Sequence, residues 1–156
     1  MTQIVDTTAT RQAISETDAL QATLVELIDL SLQAKQAHWN VVGASFKPVH
    51  EFLDELADAY RDWYDTVAER LTAIGTSPDG RAATVVASTP LVALSAGPII
   101  DEAALAAFDE RVTLVASNVR RRADDLGELD LATQDVFVEI LRGLEKQRWM
   151  LRAHRT

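Results

Sequence analysis

Four long segments of this chain repeat apolar side chains at three- and four-residue spacing, the period of helices that bury one face. The first carries Leu20, Leu24, Leu27, Ile28, Ser31 and Ala34 on that face. It opens at Ser15-Glu16-Thr17-Asp18, where a hydroxyl followed three residues later by a carboxylate has the form of a capping box. Gly43 is expected to end it. The second segment starts near Pro48, which suits a first helical turn because its missing N–H needs no partner there, and runs to about Gly75. The third opens at Asp101-Glu102, carries Leu105, Phe108, Val112, Val115, Val119, Ala123 and Leu126 inward, and has Gly127 in place to cap it. The fourth begins around Asp130 and turns Phe137, Ile140, Leu141, Leu144 and Leu151 inward. The chain shows no internal repeat and no β-strand pattern.

The connections separate the possible bundles. Two are short, but Gly75, Pro78, Gly80, Pro90, Gly97 and Pro98 punctuate a long middle one between Gly75 and Asp101. A loop of that length normally carries an element of its own, and Pro90-Leu91-Val92-Ala93-Leu94 is the expected short helix. The fold expected is therefore all-α: a ferritin-like four-helix bundle with a long crossover carrying a short helix between helices 2 and 3. With 156 residues, the chain is expected to form one domain over residues 15–156, preceded by a flexible tail at 1–14.

No apolar run reaches the roughly 20 residues needed to cross a bilayer, and Met1–Gln12 lacks the basic start and apolar stretch of a secretory signal. A cytoplasmic location is the expectation. Cysteine is absent, so any metal here must be held by oxygen and imidazole. The net charge of −9 repels nucleic acid and attracts cations.

On a helical wheel the second segment splits into two faces. Phe52, Leu53, Leu56, Tyr60, Trp63, Val67, Leu71 and Ile74 form one; His50, Asp54, Asp65 and Glu69 define the other, extended by Glu51, Glu55, Asp58 and Asp62. Acids on such a helix are ordinarily a solvated face, but basic residues are nearly absent here, so the Glu–Lys pairs that usually stabilise one are not expected. A cation would relieve the repulsion. His50/Asp54 and Asp65/Glu69 are each spaced i, i+4, and each pair can grip one ion. Asp54 and Asp65, however, are separated by roughly 16 Å along the axis, too far to share it within one chain. Two copies of this helix packed antiparallel about a two-fold axis would bring the Asp65/Glu69 end of one against the His50/Asp54 end of the other. His38 lies on the inward stripe of the first segment; alone it would be read as a core residue, and beside the acidic stripe it becomes a ligand candidate. Carboxylate plus imidazole suits Fe(II), Mn(II) or Zn(II).

His38-Trp39-Asn40-Val41, Gly43, Phe46, His50-Glu51, Asp54-Glu55, Asp65 and Ala68-Glu69-Arg70 together resemble the signature of the Dps family, the DNA-binding proteins from starved cells. The resemblance extends over nearly the whole chain, including Ser88-Thr89-Pro90-Leu91 and Lys146-Gln147-Arg148-Trp149. It implies a ferroxidase centre at the dimer two-fold, with His38, His50 and Asp54 from one subunit and Asp65 and Glu69 from the other. It further implies a homo-oligomeric hollow shell, a dodecamer built from such dimers, that oxidises Fe(II) to Fe(III), preferentially with hydrogen peroxide, and keeps the mineral inside. Glu51, Glu55 and Asp58 become candidates for mineral nucleation, Glu128, Asp130 and Asp135 for an ion-entry pore, and Trp39 for an electron donor that intercepts stray oxidants. For the pore acids, helix capping is an equal alternative.

Against the family name, residues 1–14 carry Arg11 as their basic residue, opposed by Asp6, so no lysine-rich arm is present to hold DNA. Arg148, Arg152, His154 and Arg155 are explained by the dipole at the end of the last helix, and Arg120-Arg121-Arg122 are expected to form intersubunit ion pairs. Two rival readings follow from the same residues: a metal-dependent amide or ester hydrolase using this site, and a structural DNA-compacting protein.

Overall fold

The computed structural model describes residues 15–126 and 130–154. The expected tail at 1–14, the cap Gly127, Glu128 and Arg155 lie outside the described residues. The elements are α1 (Glu16–Asn40), β1 (Val41–Val42), α2 (Phe46–Ala73), α3 (Ala82–Ser88), β2 (Ile99–Ile100), α4 (Asp101–Leu126) and α5 (Leu131–Ala153). The four long helices are those read from the apolar periodicity, and the fold is an all-α four-helix bundle with one short helix in the crossover.

Side-chain contacts give the helix directions. Glu16 meets Arg70, Ser31 Oγ lies 3.5 Å from the Ala57 carbonyl, and His38 touches His50, so α1 and α2 run antiparallel. Glu26 pairs with Arg122 and Gln33 with Arg111, so α1 and α4 are antiparallel as well. Hence α2 and α4 run in the same direction, which only a connection as long as the bundle can satisfy. The core between the helices contains Leu20, Leu27, Leu53, Leu56, Tyr60, Phe108, Val115, Phe137 and Ile140, each fully or almost fully buried. Trp63 of α2 lies over Gly143 of α5, where an added Cβ would come within 2.2 Å of the indole.

The crossover differs from expectation in position. Its helix is Ala82–Ser88, not Pro90–Leu94. Residues before a proline avoid the helical region, and Thr89 is extended at ψ 133, so the helix stops ahead of Pro90. Asp79 organises the start: it accepts hydrogen bonds from the Arg81 backbone and the Thr84 hydroxyl, while Gln21 of α1 holds the Asp79 backbone at 2.8 and 2.9 Å. Leu91 then dips into the core.

A second difference is a parallel pairing of Val41–Val42 with Ile99–Ile100, where no strand was expected; strands of two residues carry no readable alternation. Beside it, buried Asp101 accepts from the Ser45 backbone at 2.7 Å and from its own helix at Glu102, tying the α1–α2 turn to the start of α4. The close approach requires Gly43, at φ +137, since any Cβ there would sit 2.4 Å from the Asp101 carboxylate. The helix itself ends earlier, at Asn40. This clamp fixes the end of the bundle from which His38 and His50 project.

Candidate metal centre

His38 closes the last turn of α1, and His50 lies one turn into α2, so the antiparallel pairing stacks their rings at a centroid distance of 3.6 Å. Each ring is held by the other residue's backbone. His38 Nδ1 lies 2.8 Å from the His50 carbonyl oxygen and His50 Nδ1 lies 2.7 Å from the His38 carbonyl oxygen. A carbonyl only accepts, so both Nδ1 atoms carry the hydrogen, and in the neutral rings both Nε2 atoms keep a free lone pair. Metal-binding imidazoles are oriented by this kind of outer hydrogen bond.

Asp54 follows His50 by one turn and is half-exposed. Lys35 of α1 donates a hydrogen bond to it. That bond, together with neighbouring His38 and His50, holds the Asp54 carboxyl below the ordinary carboxylate range, so it stands as an anion beside the imidazoles. The expectation of an acidic face without basic partners is therefore corrected twice. Lys35 reaches Asp54 from the adjacent helix, and Lys47, one turn before Glu51 on α2 itself, pairs with it at 2.7 Å. Lys35 is the residue the sequence reading missed. The signal was present, since Lys35 precedes His38 by three residues and shares its face. Its ammonium also lies 5.9 Å from the ring centroid of Trp39, which is 69% exposed.

Asp65 and Glu69 are exposed on α2 and are not brought to the histidines. Among the described residues of one chain, no three histidine, aspartate or glutamate side chains converge as a metal site. Asp65 instead borders a cleft shared with Ile28, Tyr64, Pro78 and Gly80, and Glu69 borders another beside Ala68 and Pro78. Glu55 and Asp58 are exposed on α2, as is Glu51 in its pair with Lys47.

Of the pore acids, Asp130 is the N-cap of α5: it accepts from the Ala132 backbone at 2.9 Å and is ion-paired with Arg70. Thr133 bonds both Asp130 and Glu16 there, so α1, α2 and α5 are joined at this end. Hydrogen bonding to Glu16, then to Thr133 and Arg70, holds the Asp130 carboxyl well below the ordinary range. Capping, the equal alternative, describes what this residue does in the chain. Asp135 is exposed one turn further along. Asp79 is depressed in the same way, by Arg81 first and then Thr84. A group with a lowered folded-state pKa stabilises the fold above its unfolded value and loses that contribution as pH falls below it. The stability difference between the parent and an Asp79→Asn/Asp130→Asn variant should be constant from pH 7 to about 5 and shrink below about pH 4. Thermal midpoints across that range measure it; a gap that widens on acidification contradicts the assignment.

The arginine run also departs from expectation, because its ion pairs lie within the chain. Arg122 is buried against Glu26, Arg120 pairs with Glu145 on α5, and Arg121 donates to Asn118.

The ferritin-like domain family matches residues 17–156. DNA protection during starvation protein 2 of Deinococcus radiodurans is 37% identical over 86% of this chain, a match spanning 56% of that protein's own length. The DNA protection during starvation protein of Mycolicibacterium smegmatis is 35% identical over 92% of the chain and 79% of its own length. A solved Dps from Deinococcus radiodurans superposes with a TM-score of 0.87 at 36% identity, covering 88% of this chain and 84% of that one. With a bundle of this topology and a stacked histidine pair where α1 meets α2, the chain belongs to the Dps family of ferritin-like proteins.

Proposed function

We propose that the protein is a ferroxidase and iron-storage protein that binds Fe(II) between two subunits. His38, His50 and Asp54 of one subunit would act with the partner subunit's Asp65 and the partner subunit's Glu69. The observation that carries this reading is the reciprocal clamp of the two histidines, which presents both Nε2 atoms as acceptors next to an ionised carboxylate. An oxygen and imidazole donor set of this kind suits ferrous iron, and carboxylates favour the ferric product by stabilising its higher charge. Two Fe(II) ions give one electron each to a hydrogen peroxide molecule, which takes up two protons and leaves as two waters. No hydroxyl radical is released by this route, and Trp39, adjacent to His38, would donate an electron to an oxidant that escapes.

The shared site has a geometric corollary. A two-fold axis that brings the Asp65 end of one α2 against the Asp54 end of another must pass between the two helices at the level halfway along this stretch, near Ala59 and Tyr60. On α1 this is the level of Ile28 to Ser31, as the Ser31–Ala57 contact marks. There Ile28, Leu32, Val85 and Val86 line an apolar cleft of about 590 Å³, a surface suited to a second copy. A shell of such dimers, in the cytoplasm, would turn Glu51, Glu55 and Asp58 toward mineral and use Glu128 and Asp135 near its entrances. Mixing the apo-protein anaerobically with Fe(II), then adding peroxide, should produce ferric absorbance at two irons per peroxide. Absence of ferric product, or hydroxyl radical trapped in proportion to the iron, refutes the proposal.

DNA compaction is the weaker role. Duplex DNA is held by lysine and arginine displacing counterions. This chain carries nine net negative charges and no basic arm in residues 1–14, and Arg120 and Arg122 are engaged with Glu145 and Glu26. A gel shift near neutral pH at about 0.15 M salt should leave the DNA free; a retained band at that salt would restore the compaction reading.

A further inference from the structure

Lys35 stands between two functional groups, with its ammonium bonded to the Asp54 carboxylate and 5.9 Å from the centroid of the Trp39 ring. Its own side chain is 30% exposed, so it has room to leave for solvent. The proposed site holds three carboxylates, Asp54 with the partner subunit's Asp65 and the partner subunit's Glu69, and two neutral imidazoles. One divalent ion and one ammonium balance those three negative charges. A second divalent ion makes the site net positive, and less so once the ammonium departs; it would also need the Asp54 oxygen that Lys35 now occupies.

Resting on the inter-subunit reading above, we propose that Lys35 is a displaceable internal counter-cation. It holds the place of one ferrous ion, so that each site takes one divalent ion tightly and the second only as Lys35 leaves. Its departure also uncovers the face of Trp39. Lys35 is thus a positioning residue that sets the order of loading and couples full occupancy to the environment of the indole. A cation above an aromatic face is attracted to it, and removing that charge changes what the excited indole senses.

The test uses the assembled protein and Co(II), which reports coordination by its visible absorption without being oxidised under these conditions. In the parent, one Co(II) per site should bind tightly and a second about tenfold or more weakly. Tryptophan emission should change with the second equivalent and stay flat in a Trp39→Phe variant. Lys35→Met, or Lys35→Gln should the first fail to assemble, should bind both ions with similar affinity and lose the delayed emission step. Lys35→Arg, which keeps the charge, should restore the parent's order of loading. Equal two-ion binding in the parent and in both neutral variants overturns the role of Lys35. Co(II) binding by none of the proteins instead refutes the shared metal site, and the inference falls with it.

Discussion

An Asp65→Ala/Glu69→Ala variant should lose fast iron oxidation, its initial rate falling by more than about 100-fold, while its helix content and thermal midpoint stay close to the parent's. Even outer-shell partners of a metal ligand are typically worth 10 to 100-fold, and the proposed site would here lose two of its five direct ligands. The fold should tolerate the change because both side chains are exposed and lie opposite the apolar stripe. Removing two like charges from a crowded acidic face relieves repulsion if anything. Stopped-flow ferric absorbance measures the rate, and circular dichroism the helices. The variant also separates two arrangements. If the acids act in the partner's site, mixing it with a His38→Ala/His50→Ala variant, under conditions that let subunits exchange, should regenerate some hybrid dimers with one intact site. Oxidation at the parent rate by the acid variant would return Asp65 and Glu69 to a solvated face.

The parts of this protein legible in its sequence were those governed by period and spacing. The apolar stripe of α2 was readable because Phe52, Leu53, Leu56, Tyr60, Val67 and Leu71 recur at helical intervals and are buried together. The i, i+4 spacing of His50 and Asp54, with 11 residues from Asp54 to Asp65, is what leads to the proposal of a site shared with a second chain. What the sequence hid were pairings between distant positions and competitions between neighbours. Ala82–Ser88 was passed over for the more apolar Pro90–Leu94, although the proline itself forces the preceding residue out of the helix. Val41 meeting Ile99 depends on how the crossover returns, which no local pattern encodes. Lys35 shares a face with His38, but that it turns toward Asp54 is a fact of helix packing. Arg122 falls on the apolar stripe of α4, three residues after Val119. As one of three consecutive arginines it is expected to pair across subunits, whereas its partner lies 96 positions earlier in the same chain.

That buried pair carries the largest expected effect on stability. Arg122 donates to Glu26 through both terminal nitrogens, at 2.7 and 2.8 Å, and also to the Thr23 hydroxyl at 3.0 Å. Asn118 completes the Glu26 carboxylate at 2.8 Å. The two charged side chains are 2% and 7% exposed, so neither can turn to water if its partner is removed. Breaking such a pair typically costs about 3 to 5 kcal/mol, because the remaining charge is left buried and uncompensated. Glu26→Ala and Arg122→Ala should each lower the thermal midpoint by on the order of 10 °C. Replacing both by apolar side chains of similar volume, Glu26→Leu with Arg122→Met, removes both charges from the core. The desolvation cost then disappears with the attraction, leaving the unpaired Asn118 amide as the main penalty. The double variant should therefore be more stable than either single one, and the coupling from the double-mutant cycle should be favourable by a few kcal/mol on the order of the single losses. Losses that add, with the double variant the least stable of the three, would show that Glu26 and Arg122 stabilise the bundle independently of each other.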